Sequence, residues 1–120
     1  MPNILICDDE RSICEMLDIT LRREGYKVET VNSGEMAKRK LESALYDVVV
    51  TDIKMPNING IEVLKHAHQI SPESAVILIT AKIFVRDDTL RRVPFIFALP
   101  RLSSDSVRPF LYPILKESAL

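Results

Sequence analysis

Short apolar runs separated by stretches of helical periodicity leave this chain few ways to fold. The first run, NILIC (Asn3–Cys7), carries Ile4, Leu5 and Ile6 without a polar break and reads as a strand. Ile13, Met16, Leu17, Thr20 and Leu21 then recur at helical spacing with charges between them, and Gly25 is placed to end that helix. YKVETV, residues 26–31, alternates with period two. Asn32 or Ser33 can cap a second helix whose apolar stripe is Ala37, Leu41, Ala44 and Leu45. DVVVT, residues 47–51, is the next strand. Gly60 opens a third helix with Ile61, Leu64, Ala67 and Ile70 inward and Pro72 just beyond its end, and AVILIT (Ala75–Thr80) is a further strand.

Strands alternating with helices of this length build βαβ units, and right-handed crossovers make the sheet parallel. Runs without polar alternation suit strands covered on both faces. In such open sheets ligands bind beyond the carboxyl ends of the strands, so the residues that follow each strand carry the most information about function. Asp8, Asp9 and Glu10 follow the first strand, Asp52 comes after the third and Thr80 after the fourth, so three strands aim oxygen-bearing side chains at one rim.

Two carboxylates about 4 Å apart repel by roughly 4 kcal/mol at an effective dielectric near 20, so such a cluster needs protons or a cation. Oxygen ligands alone favour a hard divalent ion, and Mg2+ suits best because it takes one or two carboxylates and leaves room for phosphate oxygens. A neutralised aspartate is an established nucleophile in phosphoryl transfer. Asp52 is the best candidate, since it stands alone after its strand. The competing structural readings are that Asp8–Glu10 cap the first helix and that Asp52 forms an ordinary turn.

Composition narrows the alternatives. A chain of 120 residues, 47% hydrophobic, fits one domain with a real core. A formal charge of −1 lacks the basic excess of a module that grips nucleic acid, so direct nucleic acid binding is not expected. No apolar run reaches the roughly 18 residues needed to span a bilayer, and the acidic start is unlike a signal peptide, so a cytoplasmic location without membrane contact is expected. Cys7 and Cys14 match no disulfide framework or zinc spacing and are expected to be buried thiols. His66 and His68 do not share a helix face and are expected on the solvated surface, as is the basic run Lys38, Arg39, Lys40, while Met55 should pack a loop.

The residues ILICDDE, DVVVTDIKMPNINGIEVL and AVILITA resemble, in order, the first strand with its acidic pair, the phosphoacceptor strand with its loop, and the fourth strand of the receiver domain of two-component response regulators. The middle motif is most similar to receivers that precede ATP-dependent transcriptional activators. The resemblance covers residues 1–81 and implies a single receiver domain over residues 1–120. The fold it implies is a flavodoxin-like, doubly wound sheet of five parallel strands with helices on both faces. It also implies that Asp52 accepts a phosphoryl group from a phosphohistidine on a sensor histidine kinase or phosphotransfer protein. Asp9 would bind Mg2+ directly, Asp8 through the acidic pocket and water, and Lys54 through its backbone carbonyl, while Thr80 would sense the phosphoryl group. Such a domain is a switch, not an enzyme, beyond slow self-phosphorylation from small donors and slow self-dephosphorylation, and phosphorylation is expected to favour a homodimer. Pro56 and Gly60 would shape the loop beside the acceptor.

After Ala81 the likeness fails. PFIFAL, residues 94–99, reads as the fifth strand and VRDDTLRR, residues 85–92, as a short helix, but Pro100-Arg101 stands where receivers carry Lys-Pro and Leu99 where an aromatic is expected. Residues 1–81 hold 9 basic and 13 acidic residues and residues 82–120 hold 7 and 4, so net charge turns from −4 to +3. Pro109 and Pro113 fall where the last helix should run, so that helix is expected to be short, broken or irregular. Three explanations are open: a diverged end with Arg101 in the lysine's role, a degenerate receiver, or a change of reading frame near Ala81, which the composition shift slightly favours. Two rival functions also stand beside the switch. One is a pseudo-receiver that binds partners without phosphorylation; the other is a Mg2+-dependent aspartyl phosphatase, which would want an acid where Lys54 stands.

Overall fold

We describe a computed structural model of the chain, which describes residues 2–80 and the strand Phe95–Leu99. The strands are β1 (Asn3–Cys7), β2 (Lys27–Val31), β3 (Val48–Asp52), β4 (Ala75–Thr80) and β5 (Phe95–Leu99), and the helices α1 (Arg11–Arg23), α2 (Gly34–Ser43) and α3 (Gly60–Ile70). They form one sheet in the order β2-β1-β3-β4-β5. β1 to β4 are all parallel, which is the flavodoxin-like arrangement with its switch point between β1 and β3.

The chain leaves β1 for one face and β3 for the other, and alternate residues of each strand feed the two layers. Ile4, Ile6, Val48, Val50, Ile77 and Ile79 pack under α1 through Cys14, Leu17 and Leu21. Leu5, Cys7, Val49, Val76 and Leu78 pack under α2 and α3 through Ala37, Leu41, Val63 and Ala67. Every residue of β3 is buried, which accounts for its valines: β-branched side chains suit a strand covered on both faces.

The structure corrects several sequence expectations. β5 runs antiparallel to β4, with Phe95 beside Thr80 and Leu99 beside Val76, where a fifth parallel strand was expected. A parallel strand requires the chain to cross back over the sheet; an antiparallel edge strand re-enters at the end where its neighbour leaves, and mixed sheets commonly carry such an edge. The buried face of α3 is Gly60, Val63 and Ala67, not the stripe through Ile61 and Ile70, which are 38% and 40% exposed. Gly60 fixes that rotation: its amide donates to Ile53 O at 2.9 Å, and residues three and seven further on then face the sheet. α2 ends at Ser43, so Ala44 and Leu45 fall outside it, and Leu45 is 76% exposed. The expected irregular last helix and the short helix at residues 85–92 lie outside the described residues.

Candidate functional site

Each carboxylate at the rim is placed by a strand. β1 ends at Cys7 in register with Thr51 of β3, so Asp8 and Asp52 flank the switch point. The Asp8 amide donates to Val31 O at 3.2 Å, holding the end of β1 to β2. Asp52 pairs in register with Ile79, and the Ile53 amide continues the ladder onto Ile79 O at 3.1 Å. Carboxylate oxygens of Asp8, Asp9 and Asp52 all come within 4.8 Å of one another. Asp8 and Asp52 are buried at 4% and 8% exposure.

The acidic run does not cap α1 through side-chain hydrogen bonds. The N-cap of α1 is Glu10, which makes no side-chain capping bond, and the first turn of the helix holds no acid. Asp8 turns back instead, its Oδ1 accepting from the Glu10 amide at 2.9 Å. Asn32 Nδ2 donates to Asp8 O at 3.2 Å, which leaves the capping of α2 to Ser33, whose Oγ accepts from the Met36 amide at 3.2 Å.

Burial pushes the Asp8 carboxyl up to about 7, opposed by its hydrogen bond from the Glu10 amide and reinforced by the neighbouring Asp52, Asp9 and Glu10. A buried acid held that far above its usual range, in a set of three close oxygen donors, is the environment a hard divalent cation fits, because the ion would replace the missing solvent and the repulsion at once. Asp8, Asp9 and Asp52 therefore fit Mg2+. Burial also raises the thiols of Cys7, to about 12, and Cys14, to about 11, so both stay protonated. That agrees with giving them no chemistry.

The loop from Ile53 to Asn59 leaves the site under tight constraint. Gly60 has no room for a side chain, since a Cβ would fall 2.9 Å from Ile53 Cα and closer still to the Asp52 carbonyl. Asn59 Oδ1 caps α3 by accepting from the Glu62 amide at 3.0 Å. Asn57 takes a left-handed backbone, φ 65°, a conformation asparagine tolerates better than most residues. Met55 is buried, its Sδ 3.5 Å from the Cys7 thiol, so it packs the loop as expected. Asn57 and the junction of Ser33 and Gly34 with this loop were missed at the sequence level, although an asparagine directly after a proline, as in Pro56-Asn57, is a turn signal.

The remaining expected site residues fare differently. Lys54 sits exposed at the start of the loop, directly after Ile53. Thr80 ends β4 one residue beyond the partner of Asp52, at the same rim. Arg101 lies outside the described residues. His66 is not a solvated surface histidine: its Nε2 is buried, 3.2 Å from Glu42 Oε1 on α2 without hydrogen-bond geometry. His68 is exposed.

An acid-rimmed, doubly wound sheet of this strand order defines the class as an α/β domain that handles its ligand at the switch point. The chain belongs to the response regulator receiver domain family, whose sequence profile matches residues 4–90. It is 40% identical over 79 residues to the alkaline phosphatase synthesis transcriptional regulatory protein PhoP of Bacillus subtilis, covering 66% of this chain and 33% of PhoP. It is 38% identical over 79 residues to the transcriptional regulatory protein ZraR of Klebsiella oxytoca, covering 66% of this chain and 18% of ZraR. The chain thus spans a third or less of the length of these two relatives. Among solved structures it is similar to the response regulator TrrA of Thermotoga maritima in complex with Mg(2+)-BeF, with TM-score 0.66, 40% identity, and coverage of 74% of this chain and 77% of that one. TrrA is also solved in complex with the histidine kinase ThkA, where the TM-score is 0.64. Receiver domains of this family are signalling switches of two-component phosphorelays. Among the described residues no helix is long and apolar enough to cross a membrane.

Proposed function

We propose that this chain is the phosphoacceptor switch of a two-component system, a single receiver unit that takes a phosphoryl group on Asp52 from a phosphohistidine of a sensor histidine kinase. The observation that carries the reading is the meeting of Asp8, Asp9 and Asp52 within 4.8 Å at the switch point of the sheet. The ThkA complex of TrrA supports a kinase as partner, and the Mg(2+)-BeF complex of TrrA supports a divalent ion at the acidic site.

In the transfer, an Asp52 carboxylate oxygen attacks phosphorus, the P–N bond to the imidazole breaks, and an acyl phosphate forms while the imidazole keeps the bonding electron pair. β3 and the backbone bond from Ile53 to Ile79 hold Asp52 at the rim with its carboxylate toward Asp8 and Asp9. Asp8, Asp9 and Asp52, with the Lys54 carbonyl, would hold Mg2+, which when bound supplies charge neutralisation for the carboxylates and the phosphoryl oxygens. Thr80, at the end of the neighbouring strand, would bond the new phosphoryl group, which adds about −1.5 to −2 charge and three acceptor oxygens and so biases the loops around it. Arg101 would stand in for the lysine of related receivers, and the phosphorylated chain would self-associate.

The test is incubation with acetyl phosphate and Mg2+ followed by mass spectrometry. A phosphoryl adduct that disappears in Asp52→Asn and in EDTA is expected. A native chain that takes no adduct would make it a pseudo-receiver, and rapid turnover of many phosphoesters would make it a phosphatase.

A further inference from the structure

Gly34 and Ile58 meet at a place the transfer chemistry does not require. Gly34 opens α2 with an ordinary negative φ, so its backbone would accept any residue. Its surroundings would not: a Cβ there would fall 2.6 Å from both Cβ and Cγ2 of Ile58, and closer still to the Ile58 carbonyl oxygen. The same junction is tied from beneath by Cys7, the last residue of β1, whose thiol donates to Ser33 O at 3.4 Å and lies 3.5 Å from Met55 Sδ. The loop between Asp52 and α3 is therefore seated on two bare helix starts, Gly60 of its own helix and Gly34 of its neighbour.

We propose that Gly34 is a positioning residue for the acidic site: the bare first turn of α2 docks the loop that follows Asp52 and so fixes Asp52 and the Lys54 carbonyl relative to Asp8 and Asp9. The inference rests on the reading of Asp52 as phosphoacceptor for its functional meaning, but the docking itself can be measured separately. Because the contact involves Ile58 backbone, the loop cannot yield by rotating one side chain. A side chain at residue 34 must lift either the loop or the helix start.

The experiment is Gly34→Ala in the full 120-residue chain. On local grounds alanine is the better helix former, so a bystander glycine predicts equal or greater stability and an unchanged site. Positioning predicts two site-specific changes. Maleimide labelling of Cys7, which lies under the loop, should rise about tenfold while Cys14, packed on the opposite face of the sheet, keeps its wild-type protection. The Mg2+ concentration that half-saturates the amide shifts of residues 52–55 and 57–59 should also rise about tenfold, the usual scale for losing an outer support of a metal site.

Gly25→Ala is the control. Its φ of 92° strains any side chain, yet nothing lies within 4 Å, and it sits at the far end of the sheet. General loosening of that kind should raise labelling of both cysteines together. If Gly34→Ala does not fold, Ile58→Ala removes the Cγ2 part of the contact from the loop side while leaving its backbone part, and the same selective rise at Cys7 is expected at smaller amplitude. Wild-type Cys7 protection with wild-type Mg2+ affinity, or equal rises at Cys7 and Cys14, would overturn the proposal. A selective rise at Cys7 in a protein whose native form takes no phosphoryl group would uphold the docking and overturn the phosphoacceptor reading instead.

Discussion

Asp8 concentrates the electrostatic tension of the site. Its carboxyl titrates near 7 in the fold against a usual 3.8, chiefly because it is buried. Between those values the folded chain binds a proton that the unfolded chain has already released, so this group makes stability fall as pH rises from about 4 to about 7. Without divalent cations, urea unfolding at pH 5 and pH 8 should show a larger loss at the higher pH for wild type than for Asp8→Asn. An equal loss in both would remove Asp8 as the source. The same residue shows what a sequence can and cannot disclose at this scale. The motif DDE and the lone acid of VVVTD nominate the residues, but whether acids at positions 8 and 10 cap a helix depends on where their side chains turn, and Asp8 turns back to the Glu10 amide. The cap of α2 was open between Asn32 and Ser33, and only the approach of β1 gives the Asn32 amide the Asp8 carbonyl.

At the scale of elements, apolar periodicity identified every strand and helix among residues 2–80, because burial of alternate or helically spaced side chains is a local pattern with a global cause. The rotation of α3 escaped it. Ile61, Leu64, Ala67 and Ile70 make as good a stripe on paper as Gly60, Val63 and Ala67, and glycine adds nothing to a hydrophobic count. What decides between them is the packing of Gly60 against Asp52 backbone, a contact outside the helix. The correction makes a prediction. Val63→Ala, at a fully buried position, should cost about 2 kcal/mol through lost burial and a residual cavity, whereas Ile61→Ala should cost under about 1 kcal/mol. Chemical denaturation that ranks them the other way would restore the original stripe.

Over the whole molecule, an ion held at the acidic site would join folding to ion binding. A ligand that binds only the folded state stabilises it by mass action, about 2.7 kcal/mol at a hundredfold excess over its dissociation constant, which for a chain of this size is a shift on the order of 10 °C in Tm. Thermal melts in Mg2+ against EDTA should show that rise in wild type and lose it in the Asp8→Asn, Asp52→Asn double variant; a rise that survives the double variant would place the ion elsewhere. The alternation of βαβ units with right-handed crossovers sets the parallel direction of β1 to β4, whereas the order β2-β1-β3-β4 is one of two common doubly wound arrangements and was implied only by the family resemblance. The direction of β5 was different, because an edge strand has one neighbour and can pair with it either way. By itself the sequence determined the elements, their parallel direction and the acids that gather at one rim, all properties of local pattern and chain direction. Only the tertiary structure decided the rotation of α3 and the seating of the loop after Asp52 on Gly34, because each is set by a close approach from outside the helix that leaves no room for an alternative.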